Sequence, residues 1–207
     1  MSTPYEKAFS AIDAAHSEDP TKIPLSSDPS LSIPYELHYA QKCTEYLNKR
    51  CPNASEPLRL AIRAQHFRRW EVPRSSYPMN KVGYHAWRTG LKKRQAEQVE
   101  AICLEVGYDK ETAAHVAGLI RKEGLGKGGH EDGNEKEEVQ VLEDVACLVF
   151  LEDQFEGWEK EAGLDEDKVL GILRRTWAKM SGKGHELALA IEMGERPREL
   201  VGKALAG

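Results

Sequence analysis

Residues 141–153 read VLEDVACLVFLED and form the most apolar stretch of the chain. Apart from its four acidic residues, every residue in this stretch is apolar. A helix with such a pattern must be buried over most of its circumference, because it has no continuous polar face to turn toward water. The stretch therefore predicts a helix in the interior of the domain.

Two carboxylates interrupt the apolar pattern in the first half of this helix. On a helix, Asp144 shares a face with Val141 and Leu148, whereas Glu143 shares another apolar face with Cys147. At least one carboxylate must therefore point inward, and an unpaired ionised carboxylate there costs several kcal/mol. The sequence predicts one of three remedies, namely a bound metal ion, a buried arginine or lysine, or protonation.

The simplest remedy is an internal ion pair that joins two helices. Arg69 and Arg175 are the candidate partners for Asp144. The other interpretation is a metal-binding or catalytic role for the same carboxylate, and the helix by itself does not decide between them.

Helical periodicity extends through nearly the whole chain and predicts a single all-α globular domain of seven to nine helices over residues 1–207. Ser55, Asn80, Asp109 and Asp165 are expected at helix starts, and Gly107 at a helix end. We find no convincing pair of strands, so the proline-rich residues 17–34 are interpreted as a loop. The glycine-rich, charged residues 124–137 are interpreted as a flexible loop or insertion.

Composition restricts the classes of protein that the chain represents. The sequence has a net charge of −5, with 40% hydrophobic and 30% charged residues, which is typical of a soluble globular protein. The net negative charge argues against broad nucleic-acid binding, and no apolar run is long enough to span a membrane. The four cysteines are widely spaced, and residues 1–20 carry acids and lack the basic-then-apolar order that is typical of a secretion signal. A cytoplasmic location, with the nucleus as an additional compartment, is expected.

Basic residues recur in clusters that could converge on one anion. The segment AQHFRRWEVPRSSYP, residues 64–78, contains three arginines and a tryptophan next to a histidine. Arginine pairs bidentately with phosphate or carboxylate groups, and an indole ring stacks on planar ligands. Equally, these residues could lie apart on solvated helix faces. The predicted ligand-binding residues are Arg68, Arg69, Trp70, Arg88, Arg175, Lys179 and His185.

Two histidines are candidate metal ligands together with the buried acid. His66 follows Leu58 and Ile62 at helical spacing, so its ring is expected to face the interior, and His38 lies in a neighbouring predicted helix. With Asp144, they would supply three ligands from three helices. That set resembles a divalent metal site with positions left open for water.

The order of these three residues resembles that of the HD-domain metal phosphohydrolases. The resemblance implies an HD-domain-like helical fold and a divalent metal ion held by His38, His66 and Asp144. Phe67, however, stands where that superfamily has a metal-binding aspartate, so the chain lacks one of the ligands that the resemblance implies.

Four stretches resemble the uncharacterised DUF4202 family, and the likeness covers nearly the whole chain. They are AQHFRRWEVPRSSYPM, GYHAWR, LEDVACLVFLED and LRRTWAKMSGKGH. We identify the chain as a member of this family, which implies no established activity.

Three hypotheses of function follow. In the first, the protein is a metal-dependent hydrolase of a small phosphorylated or anionic metabolite such as a nucleotide, with Glu71 or Glu143 moving the proton. In the second, it is a metal-free anion-binding or protein-interaction module with a buried network of acids and arginines. An oxygen-using di-metal bundle is a third possibility, although paired E-x-x-H motifs are missing. The substrate and the oligomeric state stay open.

Overall fold

The computed structural model describes residues 2–25, 28–123 and 133–206 and confirms the all-α class. The described residues form ten α-helices, one more than the upper limit predicted from periodicity. The helices are α1 (Pro4–His16), α2 (Tyr35–Arg50), α3 (Glu56–Arg63), α4 (Lys81–Val106), α5 (Lys110–Arg121), α6 (Gly133–Val149), α7 (Phe155–Ala162), α8 (Glu166–Lys179), α9 (Gly182–Leu189) and α10 (Glu195–Ala206).

Side-chain caps fix several helix ends where the sequence predicts them. Ser55, Asn80, Asp109 and Asp165 each accept a hydrogen bond from a backbone N–H in the first turn of the helix that follows. At the other end of α4, Gly107 adopts a φ of 107°, a left-handed conformation that glycine tolerates better than other residues. These caps define the limits of α4, the longest helix.

A β-hairpin occupies most of the segment that the sequence analysis interprets as a loop. Strands β1 (Lys22–Leu25) and β2 (Asp28–Pro34) pair antiparallel, so the loop prediction for residues 17–34 is wrong over both strands. Prolines argue against strands in the middle of a sheet, but both strands of a two-stranded ribbon are edges where proline is tolerated. The hairpin leads directly into α2.

Helix α6 lies at the centre of the domain and packs against α2, α3, α8 and α9. Leu142, Val145, Leu148 and Val149 on this helix are completely buried. The helix continues through a π-helical turn, Phe150–Gln154, into α7. Residues 124–132 of the predicted loop at 124–137 lie outside the described residues. The chain is helical from Gly133 onward, so the prediction of a loop over residues 133–137 is wrong.

Among the described residues, no helix combines the length and the apolar character needed to cross a lipid bilayer.

Candidate functional site: a cavity with unpaired basic residues

Asp144 is fully buried, and protein groups satisfy both of its carboxylate oxygens. Nε of Arg50 donates to Oδ2 over 2.7 Å, and the backbone N–H of Ser181 donates to Oδ1 over 2.7 Å. The Ser181 hydroxyl and the Gln140 amide donate two further hydrogen bonds. The carboxylate thus has an arginine partner, as one of the three predicted remedies requires. That partner is Arg50, however, and the prediction of Arg69 or Arg175 is wrong.

Glu143 is also buried, but it faces a different environment from Asp144. Its carboxylate contacts Nζ of Lys122 and lies 3.6 Å from Nζ of Lys179. Burial raises the pKa of Glu143, but the nearby ammonium groups of Lys122, Lys179 and Lys92 outweigh burial and hold the pKa below its usual value. Glu143 is therefore ionised at neutral pH.

Glu143 borders a cavity of about 440 Å³, which we call the cationic cavity. Its walls come from six of the helices, the turn after α3 and the π-helical turn. The lining residues are Tyr39, Gln65, His66, Arg69, Tyr84, Trp87, Arg88, Leu91, Lys92, Gln95, Ile120, Lys122, Glu143, Ala146, Cys147, Phe150, Gln154, Trp158, Ile172, Thr176 and Lys179.

His66 lines this cavity from a turn and not from a helix. Helix α3 ends at Arg63, and His66 has a φ of 63°, so the predicted continuation of the Leu58 and Ile62 stripe is wrong. The ring nevertheless points inward and stacks on Tyr39 with centroids 4.1 Å apart. A non-glycine residue in the left-handed region is uncommon and often marks a functional constraint.

Polar neighbours fix the ring of His66 on two sides. Nη1 of Arg69 lies 3.0 Å from Nε2 of the ring, and a Glu36 carboxyl oxygen lies 3.5 Å from Nδ1. Burial, followed by the positive charges of Arg69 and Arg88, lowers the pKa of His66 well below its usual value. The ring is therefore neutral at neutral pH and can accept a hydrogen bond from Arg69.

Glu36 is a buried acid beside this histidine. Its Oε2 atom has no hydrogen-bond partner, while its backbone N–H donates to Asp19 over 3.0 Å. Burial raises the pKa of Glu36 to about 8, and Arg69 only partly offsets the effect. Glu36 is thus mainly protonated at neutral pH and adds little negative charge next to His66.

The cationic cavity is strongly unbalanced in charge. Five basic side chains line it, from Arg69, Arg88, Lys92, Lys122 and Lys179, against the single carboxylate of Glu143. Lys122 and Lys179 share that carboxylate. Within the described part of the chain, Arg69, Arg88 and Lys92 form no ion pair with an acidic residue. Three basic groups around one cavity consequently have no protein counter-ion.

Aromatic rings form much of the remaining wall. Phe150 and Trp158 meet edge to face with centroids 5.9 Å apart, and the guanidinium of Arg69 lies 5.1 Å from the ring centroid of Trp87. Phe150 and Gln154 belong to the π-helical turn between α6 and α7. Such turns are frequent at functional sites, because the extra residue re-aims the side chains of a helix.

Thiol chemistry has little support in this cavity. Cys147 lies in the wall, but burial raises the pKa of its thiol to about 12. The reactive thiolate is therefore scarce at neutral pH.

The predicted metal ligands have separate partners. His38 contacts Asp153 over 2.7 Å, His66 contacts Glu36 and Arg69, and Asp144 contacts Arg50. Of the three, only His66 lines the cationic cavity. Among the residues whose side chains the structure describes, no group of three or more histidine, cysteine or acidic side chains is arranged to hold a metal ion. The predicted site is thus not assembled from these three residues.

Several predicted ligand-binding residues lie outside the cavity wall. Arg68 donates to Glu71 and Glu18, and Glu71 in turn contacts Arg94, so these charges are mutually satisfied on the surface. The hydrogen bond from Arg68 also lowers the pKa of Glu71, which favours its ionised form.

Three more of these residues are placed away from the cavity. Trp70 is half-buried, and Arg175 is exposed on α8. His185 stacks on Trp177 with centroids 4.0 Å apart, and its ring also hydrogen-bonds the Trp177 carbonyl. Of the predicted catalytic and ligand-binding residues, four line the cavity, namely Arg69, Arg88, Glu143 and Lys179.

Glu36, Tyr39, Lys92 and Lys122 are among the residues at the site that the sequence analysis does not assign to it. A signal exists for Lys92, which follows Arg88 by one helical turn on the face of α4 that also carries Gln95. Lys122 follows the last turn of α5 in a left-handed conformation, and helical periodicity gives no indication of such a position.

The fold and the cavity together define an all-α domain with a pocket lined by basic and aromatic side chains. The chain belongs to the family described as "Domain of unknown function (DUF4202)", which it matches over residues 6–201. The match confirms the family assignment made from the four sequence stretches. No curated protein and no solved structure matches the chain. The HD-domain resemblance stays a prediction.

Proposed function

We propose that the protein binds a small, multiply charged anion, such as a phosphorylated metabolite, in the cationic cavity. The observation that carries this proposal is the set of three basic residues without a carboxylate partner, Arg69, Arg88 and Lys92. Gathering unpaired positive charges in a partly desolvated space is unfavourable, because the charges repel each other and lose hydration. A bound anion removes both costs.

The cavity also suits the non-ionic part of such a ligand. Its volume of about 440 Å³ falls within the range of roughly 300–1,000 Å³ that is typical of small-molecule pockets. Trp87, Phe150 and Trp158 provide apolar surface for a planar or ring-shaped group. A metabolite with a phosphate at one end and a ring at the other is therefore the class of ligand that we expect.

Calorimetric titration with pyrophosphate tests this proposal. Arg88→Ala removes one charge-assisted contact, worth roughly 1.5–3 kcal/mol, so the affinity should fall about 10- to 100-fold. Arg175→Ala is the matched control, because both arginines are exposed but Arg175 lies outside the cavity. We expect the control to bind like the wild type. Equal losses in both variants, or no binding by the wild type, would contradict an anion site in this cavity.

Metal-dependent hydrolysis stays a second prediction, drawn from the resemblance to HD-domain phosphohydrolases. It shares the anionic ligand with the proposal above but needs a metal ion near His66. Metal analysis of the wild type beside His66→Ala and Asp144→Ala tests it, since equal metal content in all three proteins removes both residues from a coordinating role.

A further inference from the structure

Lys92 differs from the other two lysines of the cationic cavity in its lack of a carboxylate partner. Lys122 contacts Glu143, and Nζ of Lys179 lies 3.6 Å from the same carboxylate. Within residues 2–25, 28–123 and 133–206, Lys92 forms no ion pair or hydrogen bond. The single carboxylate of the cavity is already shared by two ammonium groups, and Lys92 forms no ion pair with it.

The position of Lys92 makes its ammonium group easier to deprotonate than that of an exposed lysine. The side chain is half-buried on α4, one turn after Arg88. Burial lowers the pKa of Lys92, and the positive charges of Lys122, Arg88 and Lys179 lower it further, while Glu143 opposes them only in part. A desolvated lysine next to other cations is one way in which proteins produce a nucleophilic amine near neutral pH.

We propose that Lys92 is an amine nucleophile that forms an imine with the carbonyl carbon of a phosphorylated aldehyde or ketone. This inference rests on the proposed function, because the anion site holds the phosphate while the carbonyl group meets Nζ of Lys92. Arg69 and Arg88 supply the positive charge for the phosphate, and they carry no amine that could compete for the carbonyl carbon.

The chemistry balances without any further reactant. The lone pair of Nζ forms a bond to the carbonyl carbon, and the π electrons of the carbonyl group move to its oxygen. Nitrogen then loses both of its protons to that oxygen as the C=N bond forms, and the oxygen leaves as water. Amine and carbonyl compound thus give imine and one water, with no oxidation or reduction. Glu143, the ionised carboxylate in the same cavity, is the group available to carry the protons.

Borohydride trapping with pyridoxal phosphate, a phosphorylated aldehyde, tests the inference at pH 7. Reduction fixes the imine as a stable secondary amine, and peptide mass spectrometry locates it. Lys93 provides an internal control, because it is the next residue along the chain and its side chain is 74% exposed. We expect labelling of Lys92 to exceed that of Lys93 at least tenfold. Unphosphorylated pyridoxal should lose this preference.

Two variants test whether the amine of Lys92 is the group that is trapped. Lys92→Arg has no primary amine, so trapping at position 92 should be lost. Lys93→Arg should leave trapping of Lys92 unchanged. Labelling of Lys92 no greater than that of Lys93 would overturn the inference. If the wild type still binds pyrophosphate in that case, the anion site stands and only the imine chemistry fails. If pyrophosphate binding is absent too, the proposed function fails with it.

Discussion

Neighbouring positions in the sequence have very different surroundings in the molecule. Side chains at consecutive helical positions point about 100° apart, so Glu143 and Asp144 meet different partners. Asp144 has an arginine and a helix N-terminus, and every oxygen is hydrogen-bonded. Glu143 faces an open cavity in which lysines outnumber it. Asp144 therefore stabilises the fold, whereas Glu143 is in contact with the space where we expect a ligand.

Glu36 shows that not every buried acid in this protein is compensated by a base. One of its oxygens has no hydrogen-bond partner, and its pKa of about 8 lies far above the usual value of 4.5. Between these two pH values, the unfolded chain releases a proton that the folded protein retains. The contribution of Glu36 to stability is complete below pH 4.5 and is lost as the pH rises through 8.

Glu36→Gln should therefore change the pH dependence of stability. The amide is neutral at every pH, so the variant should gain stability relative to the wild type as the pH rises from 5 to 8, on the order of a few kcal/mol. Urea unfolding at both pH values measures this difference. Glu45→Gln, an exposed change on the same helix, serves as the control. A difference between variant and wild type that is the same at pH 5 and pH 8 would refute the role assigned to Glu36.

At the scale of elements, the packing of α9 against α6 depends on a close approach between Asp144 and Gly184. The carboxylate of Asp144 accepts two hydrogen bonds from Ser181, which is the N-cap residue of α9. A Cβ atom at position 184 would lie 2.8 Å from Oδ1 of Asp144, which is too close for an ordinary contact. The absence of a side chain at Gly184 thus allows the buried acid to reach this helix start.

Gly184→Ala should destabilise the protein by roughly 1–3 kcal/mol, because the added methyl group displaces a carboxylate that four hydrogen bonds hold in place. Gly182→Ala is the matched control in the same helix, since a Cβ atom there meets nothing within 4 Å. We expect that variant to stay within about 0.5 kcal/mol of the wild type in urea unfolding. Equal stability of the two variants would argue against this packing.

The elements of the fold were largely predictable from the sequence, and the composition of the site was only partly so. Cap residues such as Asn80 and Asp109 act locally, so the sequence around them identifies the helix starts. The position of His66 depends on a left-handed turn, and the pairing of Asp144 with Arg50 joins residues 94 positions apart. Neither helical periodicity nor the spacing of residues in the sequence encodes the left-handed turn or the long-range ion pair. The sequence pattern does not predict the hairpin, because the prolines in both strands weaken the alternation that is typical of strands.

At the scale of the whole molecule, the balance of charges distinguishes the cavity from the outer surface. The protein carries a net charge of −5, and many exposed basic residues have acidic partners. Arg196 and Lys203, for example, both contact Glu166 and Glu199. In the cavity, three basic residues without an acidic partner, Arg69, Arg88 and Lys92, lie around one space. We therefore expect the cavity to bind small anions that fit inside it in preference to extended polyanions.

Anomalous diffraction from crystals soaked in tungstate would locate bound anions directly, because this dianion resembles phosphate and its metal atom scatters strongly. The account predicts the highest anomalous peak inside the cavity, within contact distance of Arg69, Arg88 or Lys92. Peaks confined to exterior clusters such as Arg175 or Arg196, with none in the cavity, would contradict it.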